Sequence, residues 1–228
     1  MSEIIKVENI SKKYMFGQVS IIALDNVNLN IQKGEFTAIA GPSGSGKTTL
    51  LNIISGLDVP STGNVMLDGK PLSKMKGSEL SDFRRDHIGF IFQSYNLIPV
   101  LNVQENIEYI MLLQGISEKE RHIRVLEILK EVGLSDMSRR RPAELSGGQQ
   151  QRVAVARAMV SNPDIILADE PTANLDSHSA IDLLDMMRRL NEERGMTFVF
   201  STHDSRIMER AKRLIMLKDG VIDKEEIR

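Results

Sequence analysis

The sequence predicts an α/β fold with a mostly parallel sheet flanked by helices, and three observations lead to this prediction. Strand and helix patterns alternate through the last third of the chain. Phe36–Ala40 is apolar except for Thr37 and does not alternate, as expected of a strand buried on both faces. The first third instead has short apolar runs bounded by turn residues, which predict an antiparallel β portion.

Apolar runs and turn residues place the other strands. Val65–Leu67 leads directly into Asp68-Gly69, a dipeptide that supplies the positive φ angles of a tight hairpin turn. Further apolar runs are consistent with strands before and after this hairpin. These predicted strands are Ile4–Val7, Val27–Ile31, Ile165–Ala168, Phe198–Ser201, Leu214–Leu217 and Val221–Ile222.

Helical patterns fill the middle of the chain. Ser117, three residues before Glu120, predicts a capping box and a helix that ends near Gly133. We expect this helix to bury Ile123, Leu126 and Leu129 on one face. Another helix is predicted after Gly148, and a later one carries an apolar stripe of Ala180, Leu183, Leu184, Met187 and Leu190.

This alternation predicts one domain over residues 1–228. Within it, 1–92 and 146–228 form the α/β lobe with its antiparallel part, and 93–145 form a helical subdomain.

Composition excludes several classes of protein. The chain has 29 basic and 31 acidic residues, so its net charge of −2 gives no global attraction to nucleic acid. It has no cysteine, which excludes disulfides and thiolate chemistry. Its longest apolar run, Tyr109–Leu113, falls far short of the roughly 20 residues that span a bilayer. No signal peptide is expected from the first residues.

A phosphate-binding loop follows the buried strand directly. Residues 41–48 read GPSGSGKT, which fits the P-loop pattern in its strand–loop–helix context. Backbone N–H groups of such a loop surround phosphates, Lys47 supplies a charge for the β- and γ-phosphates, and Thr48 offers a hydroxyl to Mg²⁺. Thr49 could reach the α-phosphate. The alternative to a phosphate-binding loop is a glycine-rich turn with a structural role only. The predicted ATP-binding residues here are Gly41, Ser43, Gly44, Ser45, Gly46, Lys47, Thr48 and Thr49.

Two carboxylates end the predicted strand at Ile165–Ala168. Asp169 could hold Mg²⁺ opposite Thr48, because this hard cation prefers oxygen ligands. Glu170 is then placed to accept a proton from the water that attacks the γ-phosphate, or to polarise that water. Alternatively, the pair is merely solvated at the end of a strand.

A second anion site is predicted at a helix start. Leu145-Ser146-Gly147-Gly148-Gln149 places a serine and two glycines before a helix, where unpaired N–H groups can bind phosphate. A helix cap without a ligand is the alternative. One P-loop already surrounds one triphosphate, so this second site needs a target of its own.

Over nearly its whole length the chain resembles the nucleotide-binding domains of ABC transporters. Besides the P-loop and LSGGQ, the resemblance rests on Gln93 in FIFQ, Asp176 in ANLD, His203 after a strand, and Tyr14. It implies the ABC ATPase fold, with a P-loop NTPase core. It further implies that Gln93 senses Mg²⁺ and the attacking water, that His203 bonds the γ-phosphate, that Asp176 belongs to the nucleotide site, and that Tyr14 stacks on adenine. Helix capping by His203 and simple packing of Tyr14 are the alternatives.

The resemblance also implies partners. In that family two copies meet head to tail, so that Ser146, Gly147, Gly148 and Gln149 of one copy contact the ATP held by the other. Stretches such as Gly56-Leu57-Asp58 and Asn96–Pro99 look closest to the lipoprotein-releasing, macrolide-efflux and FtsE-like group. An integral membrane permease is then the expected partner, and the inner face of the cell membrane the expected location.

Leu97, Ile98, Val100 and Leu101 could contact that permease or simply pack within the insertion.

Two other classes of ATP-binding protein remain as alternatives. A P-loop kinase or nucleic-acid motor would explain Lys47 and Asp169 but not LSGGQ. A soluble ATP-gated clamp acting on nucleic acid or ribosomes usually carries a coiled coil or a second ATPase, and neither pattern is present in the sequence.

Overall fold

The computed structural model describes residues 2–17 and 19–228. The strands are β1 Glu3–Phe16, β2 Val19–Gln32, β3 Phe36–Ala40, β4 Thr62–Leu67, β5 Lys70–Pro71, β6 Ile88–Ile91, β7 Ile165–Asp169, β8 Thr197–Thr202, β9 Arg213–Lys218 and β10 Val221–Ile227. The α-helices are α1 Lys47–Ile54, α2 Ser78–His87, α3 Val103–Leu113, α4 Glu118–Glu131, α5 Gly147–Met159, α6 Ser177–Arg194 and α7 Ser205–Arg210. Short 3₁₀ turns lie at Leu72–Lys74, Ser135–Met137 and Pro142–Glu144.

The larger sheet positions the site. Its strand order is β10-β9-β3-β8-β7-β6, and all neighbours are parallel except β10 with β9. The central strands β3 and β8 are buried at every residue, which explains their continuous apolar sequences. Because β3, β7 and β8 run parallel, the segments after Ala40, Asp169 and Thr202 emerge at one edge of the sheet.

The smaller sheet is antiparallel, in the order β2-β1-β4-β5. One hydrophobic cluster joins this sheet to α1 and to one side of the larger sheet through residues such as Ile39, Leu50 and Leu167. A second cluster lies on the other side of the larger sheet and joins it to α3, α4, α5 and α6. The predicted mixture of a parallel sheet, an antiparallel N-terminal sheet and a helical insertion is confirmed.

The apolar face of α4 differs from the predicted one. Ile123 is 42% exposed and Leu126 is 49% exposed, whereas Leu129 is buried together with Val125 and Ile128. Apolar residues occupy more than one side of this helix, and packing selects the 125–128–129 side. Only half of the predicted capping box is formed, because the Ser117 hydroxyl accepts from the Glu120 N–H at 3.4 Å without a reciprocal bond being present.

The stripe on α6 is confirmed, since Ala180, Leu183, Leu184, Met187 and Leu190 are all buried. The sequence patterns did not predict α2, β6 or α7. In the described part of the chain, every helix is too short or too polar to cross a membrane.

Candidate active site

The P-loop begins where β3 ends and closes onto the first turn of α1. Gly46 caps α1 with a φ of 102°, and no side chain caps the helix, so its first N–H groups point into the loop. A Cβ on Gly46 would lie 2.4 Å from the Ala23 carbonyl oxygen, and therefore only glycine fits here. The Ser45 hydroxyl is buried without a hydrogen-bond partner, which leaves a donor available inside the loop.

Lys47 and Thr48 open α1 and make different contacts. The Lys47 ammonium is buried and donates to the carbonyl oxygens of Gly41 and Pro42, each at 2.9 Å. The Thr48 hydroxyl lies 3.2 Å from both carboxylate oxygens of Asp169 at the end of β7. Hydroxyl and carboxylate oxygens thus converge at the edge of the loop, as a hard divalent cation requires.

Glu170 and His203 meet across the ends of β7 and β8. Nδ1 of His203 is 2.7 Å from Glu170 Oε1, and the Thr202 hydroxyl donates to Glu170 Oε2 at 3.2 Å. Glu170 adopts a φ of 46°, a left-handed conformation that its N–H stabilises by donating to the Ser201 carbonyl at 2.9 Å. A strained, tethered carboxylate at a strand end is a common feature of catalytic sites.

These groups share a cavity of about 650 Å³. Residues of the P-loop and α1 between Pro42 and Thr49, except Ser45, line one side, and Gln93, Glu170 and His203 line another. Ile21, Ile22 and Ala23 of β2 add an apolar wall. Such a pocket offers phosphate donors at one end and an apolar surface for a flat base at the other.

Tyr14 lies beside this cavity but does not line it. Its cross-strand partner is Ile21, which does line the cavity. The Tyr14 hydroxyl donates to Asp58 Oδ2 at 2.7 Å.

The LSGGQ segment lies away from this cavity. Ser146 caps α5 in a capping box, in which its hydroxyl accepts from the Gln149 N–H at 3.3 Å and its N–H donates to Gln149 Oε1 at 2.9 Å. Gly147 and Gly148 form the first turn of α5. Among the described residues that line the cavity, none comes from this segment. The helix start predicted as a second anion site therefore lies outside the cavity of the same chain's P-loop.

Asp176 lies next to LSGGQ and also outside the cavity lining. It caps α6, and its side chain accepts from the N–H groups of His178 and Ser179 at 3.0 Å each. The Ser179 hydroxyl, at 2.6 Å, is the main cause of a lowered pKa for Asp176. A Cβ on Gly148 would lie 3.3 Å from that hydroxyl, so LSGGQ and the α6 start are in close contact.

Sequence reasoning missed three side chains that hold the loops of the site. Arg157 of α5 donates to the carbonyls of Tyr95 and Asn96, both left-handed residues shortly after Gln93. The buried Gln151 of α5 donates to the Pro171 carbonyl at 2.8 Å, directly after Glu170. Thr172 donates to Asp204 at 2.7 Å and so joins the segments after Glu170 and His203. These contacts span 20 to 62 residues, and no local pattern signals them.

Comparison with known proteins agrees with this geometry. A family model described as ABC transporter matches residues 24–173. An uncharacterized ABC transporter ATP-binding protein, MJ0796 of Methanocaldococcus jannaschii, is 48% identical over 97% of this chain and 96% of its own length. The macrolide export ATP-binding/permease protein MacB of Mannheimia succiniciproducens is 45% identical over 96% of this chain, which spans 34% of MacB.

A solved structure also matches the chain to an ATP-binding cassette. It shows MJ0796 as a dimeric ATP-binding cassette in a post-hydrolysis state with ADP and Pi, and it matches with a TM-score of 0.91 and 47% identity over 98% of each chain. The chain therefore belongs to the ABC transporter family, as one of its ATP-binding subunits that hydrolyse ATP.

Proposed function

We propose that the chain hydrolyses ATP as a head-to-tail pair of copies and thereby drives a separate integral membrane permease. The carrying observation is the separation of the two phosphate-binding segments within one chain. The P-loop lines the cavity, whereas Ser146 and its neighbours lie outside it. A helix start that lies outside the nucleotide cavity of its own chain can contact the ATP held by another copy. The dimeric state of the MJ0796 cassette supports this arrangement.

Each residue then has a distinct role. Lys47 balances the charge of the β- and γ-phosphates, and this requires its ammonium to leave the Gly41 and Pro42 carbonyls. Glu170 orients the attacking water, and His203 bonds the γ-phosphate. ATP between two copies joins them, and loss of the bridging phosphate contacts after hydrolysis lets them separate.

We further propose Mg²⁺ as the metal at the phosphates. The Thr48 hydroxyl and the Asp169 carboxylate fit this ion because they place oxygens together at the P-loop edge. Gln93, which lines the same cavity, offers an amide oxygen. Bound there, the ion would neutralise charge on the β- and γ-phosphate oxygens.

A mixing experiment tests the shared site. Lys47→Ala removes the positive charge with which a copy binds the phosphates of its own ATP. Ser146→Ala removes a contact to the ATP that the other copy holds. Each variant should therefore be nearly inactive alone. Mixed in equal amounts, they should regain ATPase activity, because one of the two composite sites in a mixed dimer carries neither substitution.

The controls separate folding from site sharing. Both variants must show the unfolding temperature of the unmodified chain. The double variant mixed with either single variant sets the background, because every composite site in those dimers carries a substitution. A mixture that stays inactive, although the variants fold and pair, contradicts a site shared between copies.

The permease is proposed from the relatives and from exposed apolar side chains. MacB is named an ATP-binding/permease protein, and the match to the present chain covers 34% of its length. We propose that 93–145 form the subdomain that receives the permease and that the chain works at the inner face of the cell membrane, in export, lipoprotein release or force transmission. Val100 is 74% exposed and Ile98 is 36% exposed, while Leu97 packs on the core. The exposed pair suits an apolar contact.

Substitution of the exposed side chain tests this contact. Val100→Asp should abolish co-purification with an integral membrane protein and leave the ATPase activity of the isolated chain unchanged. Stimulation of that activity by DNA or ribosomes, with no membrane partner, would instead favour the soluble clamp.

A further inference from the structure

We propose that Asp58 and Lys12 are positioning residues for the base of ATP, because they hold the ring of Tyr14 at the edge of the nucleotide cavity. This inference rests on the proposed function, in which ATP is the ligand, and on the expectation from the family resemblance that Tyr14 stacks on the base. Neither residue belongs to the P-loop, and neither lines the cavity.

The three side chains form one bonded cluster between β1 and the segment after α1. The Tyr14 hydroxyl donates to Asp58 Oδ2 at 2.7 Å, and the Lys12 ammonium donates to Asp58 Oδ1 at 2.6 Å. Lys12 also donates to the Val59 carbonyl at 2.6 Å. Its ammonium lies over the Tyr14 ring, 4.9 Å from the ring centroid. The phenol is thus fixed at its hydroxyl and at one face.

Burial makes this cluster stronger than a surface ion pair. The side chain of Lys12 is only 12% exposed and that of Asp58 is 26% exposed. Burial opposes ionisation of Asp58, but hydrogen bonds from Lys12 and Tyr14 outweigh it and keep the pKa of that carboxyl below its usual value. Burial and then the bond to Asp58 raise the pKa of Tyr14, so its hydroxyl remains a donor. Charge-assisted bonds of this kind hold side chains firmly.

Tyr14 connects the cluster to the apolar wall of the cavity. Tyr14 is paired across the strands with Ile21, which lines the apolar wall. The Thr49 hydroxyl of α1 also lies close enough to Tyr14 to lower the pKa of the phenol. Because Lys12 occupies one face of the ring, a base can stack only on the other face. A ring held in place before binding loses less conformational entropy when the base arrives.

The test compares ATP with a ligand that has no base. Asp58→Ala should raise the KM for ATP about 3- to 10-fold, the range expected when an aromatic stacking contact is weakened. The turnover number should change far less, since the reacting atoms are untouched. Inhibition by inorganic tripolyphosphate should keep its original constant, because that ligand contacts only the P-loop.

Further variants locate the effect at the ring. Tyr14→Phe keeps the ring but removes its hydroxyl, so it should raise the KM as Asp58→Ala does, even if the latter folds poorly. Asp58→Ala combined with Tyr14→Ala should be no worse than Tyr14→Ala alone. As a matched control, Asp185→Ala removes an aspartate that pairs with Arg210 at 2.7 Å on the far helices, and it should leave the KM unchanged.

Three results would overturn the inference. The KM could be raised in Tyr14→Ala but unchanged in Asp58→Ala and Tyr14→Phe. Tyr14 would then stack on the base, but Asp58 and Lys12 would not position its ring. An equal loss of tripolyphosphate affinity would mean that Asp58 acts through α1. An unchanged KM in Tyr14→Ala would remove the stacking role itself.

Discussion

Nδ1 of His203 lies 2.7 Å from Oε1 of Glu170, so the two groups proposed to act at the γ-phosphate are paired with each other. The other carboxylate oxygen, Oε2, accepts from the Thr202 hydroxyl at 3.2 Å and from the His203 N–H at 3.4 Å. The end of β8 therefore orients both oxygens of Glu170. A carboxylate with fixed lone pairs can direct a water molecule without further reorganisation.

Glu170→Gln should lower the turnover number roughly 10²- to 10⁴-fold, because the amide cannot accept the proton of the attacking water. ATP affinity should be retained, since Lys47 and the P-loop are unaltered. Steady-state hydrolysis and equilibrium ATP binding check the two parts separately. Glu193→Gln on the exposed end of α6 is the control. A fall of less than about 10-fold would remove Glu170 from the general-base role.

Arg157→Lys should lower ATP turnover several-fold, because the turn that follows Gln93 would lose its support. The guanidinium donates to the Asn96 carbonyl at 2.5 Å and to the Tyr95 carbonyl at 2.8 Å, and burial lowers its pKa. A lysine cannot reproduce this fork. Steady-state hydrolysis measures the effect.

Arg152→Lys provides the comparison on the same helix. Its guanidinium donates to the Val132 carbonyl, on the helical side of the chain, and does not contact the Gln93 loop. Equal turnover in the two variants would show that Arg157 does not support the loop.

The parts of the site built by local chain geometry were predictable from the sequence. A buried strand followed by a glycine-rich turn fixes the P-loop at Gly41–Thr48, and an apolar strand ending in two carboxylates fixes Asp169 and Glu170. Both signals need only neighbouring residues.

Contacts between distant segments were not predictable. Tyr14 and Asp58 are 44 residues apart, and their bond depends on how α1 packs beneath β1. The buried face of α4 was mistaken for the same reason, because Ile123 and Val125 are both apolar and only tertiary packing chooses between them. Periodicity cannot rank two apolar faces of one helix.

Arg213→Met should lower the free energy of unfolding by roughly 1–3 kcal/mol, because the partly buried Glu35 carboxylate would lose its cation and the hydrogen bonds from it. Arg213 is 8% exposed and pairs with Glu35 at 3.1 Å and Glu225 at 2.8 Å. Urea unfolding followed by circular dichroism measures the change. Adding Glu35→Gln should recover part of the loss.

The control for this substitution is an exposed pair. Arg188→Met breaks the contact with Glu192, in which both side chains are 47% exposed. It should cost less than about 1 kcal/mol. Similar losses in the two variants would mean that Arg213 contributes no more than a surface charge.

Asp204 should make the free energy of unfolding decrease as the pH falls below the usual pKa of an aspartate. Burial opposes its ionisation, but hydrogen bonds from Arg206 and Thr172 outweigh it and lower the pKa of Asp204 to about 2 from 3.8. A lowered folded-state pKa stabilises the fold above the unfolded value, and that stabilisation is lost as the pH falls through the folded value. The side chain is 12% exposed, and its full contribution is about 2 kcal/mol.

Asp204→Asn isolates this contribution, because the two proteins share every other titrating group. The difference in their free energies of unfolding should shrink by about 1 kcal/mol between about pH 5 and about pH 3. Urea unfolding at the two pH values provides the measurement. Asp182→Asn serves as a control, since that carboxylate is 46% exposed beside His178. A pH-independent difference for Asp204→Asn would mean that its hydrogen bonds, and not its charge, join the segments after Glu170 and His203.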